Sequence, residues 1–143
     1  MKSKQNLKGI RSGGIVIDFS TVDPQTSRKI AKVLKDKGVK FIEAPVSGGA
    51  IGAEKGTLTI MVVGDESIVS KCMDIFKVIG KKIYYVGSLG TAQTIKLINQ
   101  VLVGIHSIAM AEAFNLAMRA GIDLKIVYEI IRDSICLLYT SPS

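Results

Sequence analysis

Short apolar runs and amphipathic stretches alternate along the first ninety residues. "GIVIDFS" (residues 14–20) is apolar, rich in β-branched residues and opened by Gly13-Gly14, which predicts a buried strand. "TVDPQTSRKIAKVLKDKG" follows. Asp23 can cap a helix there, Pro24 suits its first turn, and Gly38 stops it after a run of lysines. Lys29, Lys32 and Lys35 repeat at helical spacing opposite Ile30, Val33 and Leu34, so the helix is expected to turn a charged face to solvent. "VKFIEA" and "GTLTIMVVG" predict a second and a third strand. "DESIVSKCMDIFKVIG" predicts one helix capped by Asp65 and stopped by Gly80, and "KKIYYVG" a fourth strand. Strands alternating with helices imply α/β architecture with a largely parallel sheet. The strand over residues 56–63 follows a Gly-rich loop, so an antiparallel pairing with its predecessor stays open.

After Gly90 the pattern changes. "TAQTIKLINQVLVGIHSIAMAEAFNLAMRAG" has no proline and one interior glycine, Gly104. It predicts a helix roughly 40 Å long, with Ile95, Ile98, Leu102, Ile105, Ala109 and Ala113 near one face. That is too long to cross over a small sheet and suits a bridge into a helical domain. Gly121 ends it, and Asp123 caps a further helix over "LKIVYEIIRDS". The ending "CLLYTSPS" has no helical period. It resembles a translated sequencing adapter, so residues 136–143 are expected to be a non-native tail, the alternative being a frayed natural terminus.

Composition narrows the classes. Hydrophobic residues make up 48% of the 143 residues, enough for a packed core. No apolar stretch is read as reaching the roughly 20 residues of a membrane span, so no membrane partner is expected. The N-terminus is basic but lacks the apolar core of a secretory signal. Cys72 and Cys136 read as free thiols of a reducing compartment. The expected location is therefore cytoplasmic, with an organellar matrix as the alternative. The net charge is +7, and ten of the 19 Lys and Arg lie in residues 1–40. Phe19 is the only aromatic there and sits in a strand-like run, so no stacking platform supports a nucleic-acid partner.

Three places could carry chemistry. "APVSGGAIGAEKG" concentrates glycines beside Ser47. Successive backbone N–H groups in such a loop can cradle an anion, and Ser47, Gly48 and Gly49 could meet a carboxylate. A plain turn is the other reading. Lys96 shares a helical stripe with Asn99 and Gln100, at i+3 and i+4. Among apolar neighbours its amine would be desolvated and its pKa lowered, as proton transfer at working pH requires. A solvent-facing lysine is the alternative. His106 is the only histidine, with no Cys or second His at ligand spacing, so a structural role is expected and no metal site.

Together, "IVIDFSTVDPQTSRKIA", "GVKFIEAPVSGGAIGAEKGTLTIMVVGD" and "GSLGTAQTIKLINQVL" resemble the β-hydroxyacid dehydrogenases. That family includes 3-hydroxyisobutyrate dehydrogenase, tartronate semialdehyde reductase and L-threonate dehydrogenase. The resemblance runs in order from about residue 6 to residue 134. It implies the C-terminal part of a Rossmann-like domain over residues 1–90, and a long helix opening an incomplete all-α domain over residues 91–135. It further implies NAD or NADP as cofactor, a small β-hydroxy acid as substrate and a homo-oligomer when intact. By the same resemblance, Lys96 is the general acid/base, and Ser47, Gly48 and Gly49 bind the substrate carboxylate. Asn99 and Gln100 help to hold the substrate, and Thr21 lies at the nicotinamide end of the cofactor.

The family pattern has Lys-x-x-Asn-Asn where this chain has Asn99-Gln100, the form of its tartronate semialdehyde reductase and threonate dehydrogenase members. The related 6-phosphogluconate dehydrogenases carry His at the position of Asn99, which argues against a phosphorylated sugar acid. The family's G-x-G-x-x-G loop does not occur in this sequence. The chain is therefore expected to be a fragment, cut at both ends and inactive alone. From other classes come a non-catalytic scaffold on the dehydrogenase fold, which would have no need of Ser47, Lys96 and Asn99 together, and a basic nucleic-acid module, which would bind with strong salt dependence.

Overall fold

The computed structural model describes residues 9–134. The proposed foreign tail, residues 136–143, lies outside them. The chain forms two compact units that divide between Asn99 and Gln100.

In the first unit, β1 (Ile15–Asp18) leads to α1 (Pro24–Asp36) and back to β2 (Lys40–Glu43), which pairs with β1 in parallel. Asp23 caps α1, its carboxylate accepting from the N–H groups of Gln25 and Thr26. Hydrogen bonds from the Thr26 side chain and then its backbone, with that from the Gln25 N–H, favour the ionised form and hold the Asp23 pKa below the ordinary value. Gly38 ends the turn with φ +69°, and Leu34 turns inward while Lys29, Lys32 and Lys35 face out. This βαβ unit matches the sequence expectation in order and in caps.

The Gly-rich segment holds more than a loop. Val46–Ser47 forms a short strand, β3, and Gly49–Glu54 a short helix, α2, before β4 (Leu58–Val62). β4 pairs antiparallel with β3, and an antiparallel bridge joins Glu43 to Val63. The open question of strand direction is thus resolved as antiparallel. A parallel return needs a crossover of about a dozen residues or more, whereas α2 merely reverses the chain. β4 pairs in parallel with β5 (Gly80–Tyr85) on its other side.

The single helix expected over residues 65–80 is two. α3 (Glu66–Lys71) and α4 (Met73–Ile79) meet at Cys72, whose N–H bonds to Val69 one tight turn back. The break at Cys72 accompanies a common inward direction: Val69, Cys72 and Phe76 all enter one core with Ile42, Ala44, Leu58, Ile60 and Val62. Helical periodicity cannot reveal such a break, because the apolar spacing survives it. Phe76 is fully buried and meets Phe19 edge-on, with ring centroids 6.2 Å apart. Along β4, Leu58, Ile60 and Val62 face this core, while Met61 packs on the other side with Val63 and Ala92. β4 is therefore covered on both faces, which explains its nearly unbroken apolar sequence.

α5 runs from Thr91 to Arg119. By length and hydropathy it is long and apolar enough to cross a membrane. That corrects the expectation that no stretch reaches this length. The apolar residues are interrupted by Asn99, Gln100, His106 and Ser107, so a search for unbroken runs passes over them. In the second unit, Gly121 (φ +68°) ends α5, and Asp123 caps α6 (Leu124–Arg132) through the N–H of Lys125. Ala117 is buried there, whereas Leu116, Ile126 and Ile130 are exposed.

Candidate active site

The site is built around a buried carboxylate. β2 carries Glu43 into the interior, where it is wholly inaccessible to solvent. Its Oε2 accepts from the N–H of Gly90 (2.9 Å) and from the Ser27 hydroxyl, and its Oε1 accepts from the N–H of Gln93 (2.9 Å). The first N–H groups of a helix have no partners of their own, and a negative charge there also meets the favourable end of the helix dipole. Glu43 supplies both from a strand distant in sequence. Gly90 is required at this corner: its φ is +94°, and a Cβ would come within 2.7 Å of the Arg28 guanidinium.

One turn into α5, Gln93 is likewise fully buried. Its side-chain amide faces the link between β1 and α1. Oε1 accepts from the N–H of Val22 (3.0 Å), and Nε2 donates to the carbonyl of Ser20 (2.9 Å). Thr21 lies between these two anchored residues, with its side chain exposed at the carboxyl end of β1. Ligands of open α/β sheets bind at that end of the strands.

The next turn brings Lys96. It is about 9% exposed, and burial pushes its pKa below the ordinary lysine value of 10.5. Among the described residues no carboxylate pairs with it. Asn99 follows one turn later, and the hydroxyl of Ser47 donates to its Oδ1 at 3.2 Å. The loop and the lysine helix, 52 residues apart at this bond, thus meet through two of the expected site residues. Ser47 and Asn99 are both partly buried.

Gly48 and Gly49 follow Ser47 with φ of +133° and +63°. At Gly48 a Cβ would also sit 3.1 Å from the Leu58 side chain. Gly48→Ala is expected to destabilise the unit by about 1–3 kcal/mol, read by urea unfolding; an unchanged midpoint would show that the turn tolerates a side chain. Gln100 is exposed and belongs to the second unit. His106 is partly buried within α5.

Sequence reading missed Glu43 and Gln93. Each left a signal: an acidic residue closing an apolar strand, and an amide three residues before the lysine. Neither could be interpreted without knowing which backbone groups lacked partners.

Parallel β1–α1–β2, the antiparallel return beside it and the long helix define a Rossmann-like nucleotide-binding architecture followed by helices. Comparison with known families agrees. Residues 1–87 match the NAD-binding domain of 6-phosphogluconate dehydrogenase, and residues 90–137 match the NAD-binding segment of NADP-dependent 3-hydroxyisobutyrate dehydrogenase. The second match contains all of α5, so this apolar helix is a family feature. The chain belongs to the β-hydroxyacid dehydrogenase family.

Among its relatives, 2-(hydroxymethyl)glutarate dehydrogenase of Eubacterium barkeri is 41% identical over 128 residues, covering 90% of this chain and 42% of that protein. Mouse mitochondrial 3-hydroxyisobutyrate dehydrogenase is 39% identical, with 90% and 38% covered. The crystal structure of 3-hydroxyisobutyrate dehydrogenase from Salmonella typhimurium superposes with a TM-score of 0.85 at 31% identity, covering 91% of this chain and 46% of that one. The chain spans about two fifths of the length of these curated relatives.

Proposed function

We propose that an enzyme carrying this sequence interconverts a small β-hydroxy acid and its semialdehyde with NAD or NADP. The observation that carries the reading is the Ser47–Asn99 hydrogen bond, which joins the glycine loop to the helix of a buried, unpaired lysine. When bound, the nicotinamide supplies or accepts the hydride. Thr21, exposed beside anchored backbone at the carboxyl end of β1, has the hydroxyl chemistry and position to hold its nicotinamide end. The residues present that fit the cofactor are those at its nicotinamide end, Thr21 and the backbone on either side of it that Gln93 anchors.

The chain's own residues act at the acid. Gly48 and Gly49 offer backbone N–H groups to the carboxylate, and Ser47 swings its proton from Asn99 Oδ1 to the anion, the Asn99 amide turning over so that its Nδ2 donates to the Ser47 oxygen instead. Gln100 contributes a further amide to substrate holding. Lys96 takes the hydroxyl proton in oxidation and returns it in reduction. The preferred substrates carry a free carboxylate and no phosphate. We place the enzyme in the cytoplasm or an organellar matrix, as a homo-oligomer whose Rossmann-like domain ends near residue 90.

Ser47→Ala in a full-length enzyme with this sequence tests the reading. It is expected to raise KM for the acid by an amount equivalent to about 1.5–3 kcal/mol, the worth of a hydrogen bond to a charged group. Steady-state kinetics with an unchanged KM would remove Ser47 from the site.

A further inference from the structure

We propose that Gln93 is a positioning residue that sets the spacing between the nicotinamide-side loop and Lys96, with Glu43 fixing Gln93 in turn. The proposal rests on the dehydrogenase reading above. Four features carry it.

First, the Gln93 side chain binds two backbone groups on either side of Thr21, the Val22 N–H and the Ser20 carbonyl. A carboxamide offers a neutral donor and an acceptor in one plane. Leucine or methionine would fill the volume and satisfy neither group. Asparagine is a methylene shorter. Glutamate, when ionised, accepts but cannot donate.

Second, the Gln93 end of the bridge is buried. Gln93 itself has no solvent access, while the loop groups it binds belong to half-buried Val22 and exposed Ser20, so its amide alone fixes a loop that solvent could otherwise loosen.

Third, Gln93 has little freedom to move. Its own N–H and that of Gly90 are both taken by Glu43, which also accepts from Ser27 on α1. The helix that starts at Thr91 is thereby fixed to β2 and to the helix that follows the Thr21 link.

Fourth, Lys96 lies three residues further along the same helix, on the face that Gln93 occupies. A rigid turn of helix therefore separates the residue that holds the loop from the residue that moves the proton. Hydride and proton leave neighbouring atoms of one substrate, so the distance between Thr21 and Lys96 must be held. A misplacement of about 1 Å at such a site can cost around a hundredfold in rate.

Two measurements test this. Amide hydrogen exchange on the 143-residue chain is compared for the wild type and Gln93→Met. Exchange at Val22 is expected to rise roughly three- to tenfold, while amides of Ile42 and Ile60 keep their rates. A rise shared equally by all three amides would mean general loosening, and an unchanged Val22 would mean no bridge; either overturns the proposal. In the full-length enzyme, Gln93→Met is expected to lower kcat by about tenfold or more, with KM for the acid changed much less. A wild-type kcat also overturns it.

Gln93→Glu keeps the acceptor for Val22 and loses the donor to Ser20. It is expected to leave Val22 protected with an intermediate kcat, and it serves as the test if Gln93→Met does not fold. Lys96→Ala, run in parallel, separates the two levels. Normal turnover in Lys96→Ala removes the proton-transfer reading and the spacing role with it. Lost turnover there beside normal kcat in Gln93→Met overturns the spacing role alone.

Discussion

Lys96→Ala in the full-length enzyme is expected to lower kcat by about 10²–10⁴-fold, the usual worth of a positioned general acid/base. Cofactor affinity should stay nearly intact, since the role proposed for the lysine is at the hydroxyl proton. Lys96→Arg should not restore turnover, because a guanidinium stays protonated and cannot accept a proton. If Lys96 is the proposed general base of oxidation, the neutral amine is the active form and kcat should rise with pH through the Lys96 pKa. In reduction the ammonium is active, and kcat should fall through the same pKa. Burial places that pKa below the ordinary value of 10.5. Both limbs should vanish in Lys96→Ala. Near-normal turnover with an unchanged pH profile would make Lys96 a structural residue and end the assignment.

The same burial has a consequence for stability. Folding disfavours the charged amine, so between the lowered folded pKa and 10.5 the unfolded chain binds more protons. The contribution of Lys96 to stability therefore improves as pH rises through that window and is unfavourable below it. Lys96→Met should raise the Tm at neutral pH while lowering turnover as far as Lys96→Ala does, a trade of stability for function whose stability side thermal unfolding can read.

Glu43→Ala is expected to cost about 3–9 kcal/mol of folding stability, because three donors lose their acceptor in a site closed to water, at about 1–3 kcal/mol each. Domains are commonly stable by only about 5–15 kcal/mol, so the variant should be close to unfolded at room temperature. Glu43→Gln should cost less, since its amide oxygen still accepts while its NH₂ group opposes one of the backbone N–H donors. Urea unfolding of the three proteins checks the order. An alanine variant within about 1 kcal/mol of wild type would mean that water or another acceptor reaches Gly90 and Gln93.

Much of the fold was legible in sequence because its signals are local. Asp23, Asp65 and Asp123 cap helices through N–H groups two or three residues away, and Gly38 and Gly121, both with positive φ, mark the ends of α1 and α5. A side chain that bonds to its own neighbourhood does so whatever the rest of the chain does. The candidate site was legible in part for another reason. Ser47, Lys96 and Asn99 stand in motifs that resemble a known family, and the structure joins Ser47 to Asn99 directly.

What sequence could not reveal depends on partners distant along the chain. The break at Cys72 leaves the apolar spacing unchanged and is visible only where Val69, Cys72 and Phe76 enter one core. The direction of β4 is set by how α2 returns the chain, and no residue of β4 encodes it. Sequence by itself determined the order of the four longer strands and of helices α1, α5 and α6, the caps, and the residue types available for proton transfer and carboxylate binding. Tertiary structure alone decided that Glu43 and Gln93 matter. A carboxylate or an amide declares its role only by what it bonds to, and their partners lie 50 and 71 residues away, where folding leaves backbone groups that need them.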